Sequence, residues 1–357
     1  MAVYNLASKY ETKLDQRFTD GSYTDKWTSH DYSFDGVNSV KVWTLGQAKI
    51  NDYTLNPTTG VSRFGAIREV EDELNTYVLT KKKSFNESFD ETNVKDQMFV
   101  KKANSFLKQV WDEQFVPMID EDRFTAWANG AGSNTINSTV LTKSTIITAM
   151  LTAHSALNNK RVPRKNRALF IKETEAIKFK LSDELSKNED FTTKAIVNGQ
   201  VGNLNGYPVI SVPDDLLPDG MTFMIKYKNA SVDPVKMKML RVITNSENVA
   251  GSLMQGLIRF DSFVLANKAD GIYGYYTSGA AATPTFTESS GKLTIASTTS
   301  SASIKYTTDG SNPKTSATAA AYSSDLTLSS FSAGTVIRAY ASATGSINSG
   351  IASYTVS

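Results

Sequence analysis

Apolar residues recur at three- and four-residue steps over 93–115: Phe99, Ala103, Phe106, Val110 and, one turn on, Gln114 share a stripe flanked by Leu107 and Trp111. That spacing predicts a long amphipathic helix. Asn93 can cap it, with Asp96 at the capping-box position. Pro117 is expected to end or kink it, because proline has no amide to donate and crowds the preceding turn. Phe106 and Trp111 are expected in the main core. A second helix is predicted over 142–158, striped by Ile146, Met150, Ala153 and Leu157, with Thr142 and Ser144 as candidate caps and Pro163 beyond its end. A short buried strand at 168–171 and a helix at 173–185, striped by Ile177, Leu181 and Leu185, complete an alternating α/β unit.

Elsewhere the period shortens to two, the signature of strands. Over 222–227, Phe223, Ile225 and Tyr227 fall on one side; over 253–259, Leu253, Gln255, Leu257 and Arg259 oppose Met254, Gly256 and Ile258. Asp233-Pro234 and the Met-rich 235–240 lie between them. The segment 1–90 reads as extended and turn-rich, with Val40, Val42 and Leu45 among polar residues. Asn56-Pro57-Thr58-Thr59-Gly60 is a strong turn between strand-like stretches at 49–55 and 61–67, which predicts a long hairpin with a polar tip. By pattern this is a surface hairpin; an arm that reaches a neighbouring subunit is the functional alternative.

Composition changes abruptly near Ser278-Gly279-Ala280-Ala281-Ala282-Thr283-Pro284. Beyond it the charged residues are Glu288, Lys292, Lys305, Asp309, Lys314, Asp325 and Arg338, set among Ser, Thr and Ala. The small-residue stretch reads as a flexible linker. The β-branched or alternating runs at 292–296, 303–307, 336–342 and 353–356, with a tight turn at Asp309-Gly310-Ser311-Asn312-Pro313, predict an all-β sandwich.

The chemistry on offer is sparse. The absence of cysteine excludes disulfides, cysteine-ligated zinc, iron–sulfur clusters and a thiol nucleophile, and two histidines, His30 and His154, cannot build a multi-histidine metal site within one chain. Net charge is +2, so no basic excess points to gripping of nucleic acid. The start lacks the pattern of a signal peptide, and no apolar run approaches the roughly 18 residues of a membrane span, so cytoplasmic synthesis is expected. No phosphate-cradling loop or nucleophile elbow is present. Gly199-Gln200-Val201-Gly202-Asn203 reads as a loop between strands, Asp120-Glu121-Asp122 as solvated helix-end charge before a cation site, His154 as a structural histidine before a general base, and Lys81-Lys82-Lys83 as a solvated run in a connecting segment. No catalytic residue, cofactor or metal is expected, which favours a structural or binding role over an enzyme.

Five stretches, in order, resemble the major capsid proteins of tailed bacteriophages. They are Ala7-Ser8-Lys9-Tyr10-Glu11-Thr12-Lys13-Leu14-Asp15-Gln16-Arg17-Phe18; Asn51-Asp52-Tyr53 with Gly60 and Arg63-Phe64-Gly65; Phe115-Val116-Pro117-Met118-Ile119-Asp120-Glu121-Asp122-Arg123-Phe124; Gly206-Tyr207-Pro208-Val209-Ile210; and Phe260-Asp261-Ser262-Phe263-Val264-Leu265 followed by Asn267-Lys268-Ala269-Asp270-Gly271-Ile272-Tyr273. Ile304-Lys305-Tyr306-Thr307-Thr308-Asp309-Gly310-Ser311-Asn312-Pro313 and Ile337-Arg338-Ala339-Tyr340-Ala341 resemble the immunoglobulin-like modules at the C-termini of chitobiase-type enzymes.

The resemblance implies an α+β tailed-phage capsid fold over 1–277: an N-arm (1–45), an extended loop (46–72), a spine helix (93–116), an axial domain (135–215) and a peripheral-domain return (220–277). An immunoglobulin-like decoration domain follows at 279–357. It further implies an icosahedral shell of pentamers and hexamers of this chain, found in the virion after synthesis in the bacterial host cytoplasm. Scaffold and portal proteins are implied partners, as is non-specifically packaged double-stranded DNA, and no membrane is involved; the Ser/Thr-rich, charge-poor surface of the projecting C-terminal domain suits weak binding to host-surface polysaccharide or plain decoration. Asn56, Pro57, Gly60 and Arg63 become the assembly loop. No trio of Lys, Asn and carboxylate is marked out for covalent cross-linking, and none is expected. The alternatives are an encapsulin-like cellular shell and, from the tail alone, a secreted glycan-binding or adhesive protein.

Overall fold

A computed structural model describes residues 21–29, 39–45, 50, 52–53, 55, 62–64, 72–90, 106, 108–182, 200–243 and 251–356. At its centre is a mixed six-stranded sheet. Its strands are β4 (Ser133–Ile136), β5 (Arg167–Lys172), β6 (Gln200–Leu204), β7 (Tyr207–Val212), β8 (Met221–Tyr227) and β13 (Ile272–Tyr276), in the spatial order β4-β13-β8-β5-β7-β6. β13 runs parallel to β4 and β5 parallel to β7; the other pairings are antiparallel. Ala168 and Phe170 pack on one face with Phe124, Trp127 and Met224. Leu169 and Ile171 pack on the other with Ile146, Met150, Leu157, Phe179, Phe223 and Ile225. A sheet covered on both faces buries every position of its central strands. Hence β8 is buried on both sides, with Phe223 and Ile225 in one layer and Met224 and Lys226 in the other.

This sheet crosses the division drawn in sequence between 135–215 and 220–277, since β8 and β13 sit between β4 and β5. Only cross-strand pairing could reveal that. Of the predicted Gly199–Asn203 loop, Gly199 lies outside the described residues and the rest is strand: Gln200–Leu204 is the edge strand β6, whose register against β7 shifts between Gln200 and Gly202. Asn205 and Gly206, both at positive φ (49° and 84°), turn β6 directly into β7.

The long helix does not stop at Pro117. Helical geometry at Lys108–Val110 passes into a π turn, Trp111–Phe115, and then into α1, Val116–Gly130. The Val116 amide donates to the Trp111 carbonyl, five residues back. Pro117 falls in the first turn after this change of pitch, where its missing amide costs least. The wide turn also moves the apolar stripe on by a residue: Phe115 is buried and Gln114 exposed. Val110, Phe115 and Ile119 pack with Phe85, Ile258 and Phe260 in a cluster separate from the central sheet. Phe106 and Trp111 lie at its margin, half-buried, and not in the main core.

The second helix, α2, is Ile146–Asn159, and the third, α3, is Glu173–Lys180. α3 buries Ala176 and Phe179; Ile177 and Leu181, expected inward, are exposed. Ile177 stands one residue off a face that Phe179, the larger side chain, takes.

Two ribbons flank this core. β1 (Ser39–Leu45) pairs antiparallel with β2 (Asp72–Val78), closing at Leu45 opposite Asp72, so the chain between them leaves and re-enters at one point. β3 (Lys81–Asp90), β10 (Val235–Ile243) and β11 (Gly251–Phe260) form a sheet in the order β10-β11-β3. Lys81-Lys82-Lys83 is thus strand and not connection, with Lys81 paired to Asp122. Short strands β9 (Ser231–Val232) and β12 (Phe263–Val264) pair beside α1.

The C-terminal region is a sandwich. One sheet orders β14 (Thr285–Ser289), β15 (Lys292–Ala296) and β18 (Leu326–Thr327) as β14-β15-β18. The other orders β16 (Ser303–Thr307), β17 (Ala320–Ala321), β19 (Val336–Ser342) and β20 (Ala352–Thr355) as β17-β16-β19-β20. Leu293, Ile337 and Val356 form its core. The junction is ordered, against the expectation of a flexible linker. Thr277 N donates to Gly220 O, Ala281 N to Ile347 O and Ile347 N to Gly279 O, and Ala281 is buried.

Candidate functional site

Of the four loop residues singled out from sequence, Arg63 lies in a turn and is exposed; Asn56, Pro57 and Gly60 lie outside the described residues. Around Arg63 the same span carries Ile50, Tyr53, Leu55 and Phe64, at 94%, 54%, 72% and 77% exposure. Tyr53 and Phe64 meet edge to face at 5.2 Å, joining the two limbs of the excursion. Four large apolar side chains are thus turned to water on one short excursion. In sequence the polar turn masks them, although Tyr53 and Phe64 belong to the capsid-like stretch.

A second cluster, buried and polar, ties the segment 22–29 to α1. Asp120 accepts from Ser22 Oγ (2.8 Å) and Thr24 Oγ1 (2.5 Å) through Oδ1 and from the Tyr23 amide (2.8 Å) through Oδ2. Arg123, three residues on, donates to Thr24 Oγ1 (2.7 Å) and pairs with Asp25 (2.5 Å). Burial pushes the Asp120 carboxyl above its usual range, against the lowering pull of the Thr24, Ser22 and Tyr23 donors. Of the Asp120-Glu121-Asp122 run only Glu121 is exposed as solvated charge. Asp120 is spent on the N-terminal segment and Asp122 on Lys81.

One layer deeper, Asp233 accepts from Trp127 Nε1 (2.9 Å), Ser231 Oγ (2.6 Å) and Ser262 Oγ. Lys226, fully buried on β8, donates to the Trp27 carbonyl (2.5 Å) and the Lys228 carbonyl (3.2 Å). Burial pulls its ammonium down to about 7. On the other face of the sheet, His154 stacks on Tyr207 at 5.3 Å, and its Nδ1 lies 3.2 Å from Arg167 Nη1. Burial first and then Arg167 lower its pKa, which favours the neutral ring as acceptor. These groups hold strands and helices together. Among the described residues, no group of three or more His, Asp or Glu side chains is placed to hold a metal ion.

Residues 281–355 match the family model of the chitobiase/β-hexosaminidase C-terminal domain, so the tail is an immunoglobulin-like domain of that type. No curated protein is similar to the chain in sequence. Among solved structures, a chain of Mycobacterium phage Che8 is similar over 78% of this chain and 100% of its own, at 14% identity and a TM-score of 0.56. The capsid structure of cyanophage P-SCSP1u (14% identity, TM-score 0.57) covers 76% of this chain and 92% of its own. The mature capsid of bacteriophage PhiM1 (11%, 0.57) covers 76% and 91%. The chain therefore has the fold of phage capsid proteins, with an immunoglobulin-like domain appended.

Proposed function

We propose that this chain is the major capsid protein of a tailed bacteriophage. In this reading it is a structural subunit that assembles as pentamers and hexamers into an icosahedral head around double-stranded DNA. The observation that carries the reading is coverage: two phage capsid chains are matched over 91–92% of their own length, so what is shared is a whole subunit and not a common motif. The exposed apolar group at Ile50, Tyr53, Leu55 and Phe64 supports it, since heterologous contacts that close into rings need such surfaces on each copy. Many modest contacts then give a stable shell through multivalency. Scaffold and portal proteins would be its partners during assembly. With a net charge of +2, DNA would be confined non-specifically and not gripped.

The C-terminal domain would stand on the outer surface. The outward side of β14 and β15 carries Thr285, Thr287, Ser289 and Thr294, a hydroxyl-rich face suited to weak contacts with host-surface polysaccharide. The test is expression of the chain and electron microscopy of the product. Closed shells are expected from the full chain, and soluble folded subunits that do not assemble from a variant lacking 54–63. Full-length protein that stays monomeric with added scaffold, or normal shells from the deletion, would overturn the reading.

A further inference from the structure

The C-terminal end of α1 presents carbonyls that have no partner within the helix. Here they are met by the C-terminal domain. Lys314, on the loop between β16 and β17, donates from Nζ to the carbonyls of Asn129 (2.8 Å) and Ala131 (2.6 Å). A cation at this end of a helix also meets the negative pole of its dipole. Its own loop holds it there: Asn312 Oδ1 accepts from the Lys314 amide (3.0 Å), while Asn312 Nδ2 donates to the Ala266 carbonyl (3.1 Å).

The joint extends on both sides of Lys314. The Ile351 amide donates to Gly132 O (3.0 Å) and the Asn348 amide to Asn129 Oδ1 (3.1 Å). Thr283 Oγ1 donates to Asn134 Oδ1 (2.7 Å) beside β4. Asp270 binds Lys160 of the shell domain (2.6 Å) and faces Arg338 of the tail (3.6 Å). Gly350 lies so close to β4 that a Cβ there would stand 2.9 Å from the Asn134 amide nitrogen. Burial, and then the Lys160 charge, pull the Lys314 ammonium down to about 7, as expected of a lysine taken out of water by a closed interface.

We propose that the C-terminal domain is a built-in clamp on the shell domain, closing the end of α1 and the β4 edge of the central sheet through Lys314, Asn312, Asn348 and Ile351. A decoration hung from a tether needs none of these bonds, and every element of the joint comes from one chain. The tail would thus fix its own orientation and hold the helix end in place, whether or not the subunit is in a shell.

Hydrogen exchange on the full-length chain tests this at the Ile351 amide, which crosses the joint without bonding Lys314. In Lys314→Met its exchange should rise roughly tenfold or more, the effect of losing buried, charge-assisted bonds. Asn129→Ala lies in the shell domain and cannot unfold the tail; it should raise Ile351 exchange as well. The amides of β8 should keep wild-type exchange in both. The proposal falls if Ile351 keeps wild-type exchange in either variant.

Discussion

The ammonium of Lys226 sits 4.1 Å from the ring centroid of Trp127. The lysine comes from the centre of the sheet and the tryptophan from the last turns of α1. The same ammonium reaches the carbonyl of Trp27 in the N-terminal segment. One buried cation therefore joins three parts of the chain that are far apart in sequence.

That cation makes stability depend on pH. Its folded pKa is about 7 and its unfolded value 10.5, so between these the unfolded chain binds more protons. Stability should then rise as pH increases from 7 to 9, by up to about 1.4 kcal/mol per pH unit for each such group. Lys314 acts in the same direction. Chemical denaturation across this range should give a visibly shallower slope for Lys226→Met; equal slopes would rule the cation out as the cause.

Asp120→Ala should cost roughly 3–5 kcal/mol, because it leaves the Tyr23 amide and the Ser22 and Thr24 hydroxyls without their acceptor and takes one of two carboxylates from Arg123. Denaturant unfolding measures it. A loss below about 1 kcal/mol would mean that water replaces the carboxylate freely.

The two tryptophans of the helical run should behave differently. Trp127 is fully buried against Phe124 and Phe170, and Trp127→Ala should cost roughly 3–5 kcal/mol. Trp111 is half-buried at the edge of the smaller cluster, and Trp111→Ala should cost about 1–2 kcal/mol, scaled to the area it buries. Equal losses in thermal unfolding would show that the smaller cluster is packed as tightly as the main one.

Gly256 on β11 faces Phe85 on β3, and a Cβ at Gly256 would stand 2.2 Å from the Phe85 ring. The ring lies over the glycine and covers bare backbone. Gly256→Ala should cost about 1–3 kcal/mol through overpacking. The double variant with Phe85→Leu should recover part of that loss, and no recovery would place the strain in the backbone.

Local signals made parts of this structure legible. The strands at 292–296, 303–307 and 336–342 emerge where alternation and β-branching mark them, because a small sandwich has one wet face per sheet. α2 shows its stripe for the same reason. The capsid fold was visible only through family-like motifs. What stayed hidden depends on distant partners. β3 begins with three lysines and is a strand because β11 pairs with it. The docking of 22–29 rests on Asp120, nearly a hundred residues away. In sequence Lys314 is one of seven charges in a Ser/Thr-rich tail, and its role comes from carbonyls on another domain.

The π turn at Trp111–Phe115 puts the two ends of the long helix in different reading frames. Before it the apolar face counts Phe106 and Val110; after it the count resumes at Phe115 and Ile119, with Gln114 outside both. Removing one residue from an ordinary helix turns everything downstream by roughly 100° and buries the wrong side chains. Here the offset already exists, so excising Gln114 cancels it: Val110, Phe115 and Ile119 would fall at uniform four-residue steps. The chain without Gln114 should fold with an unbroken α-helix and both clusters intact, while loss of one residue from the middle of α1 should not be tolerated. This helix carries a spare residue at a place where the count can be edited without rewriting the face.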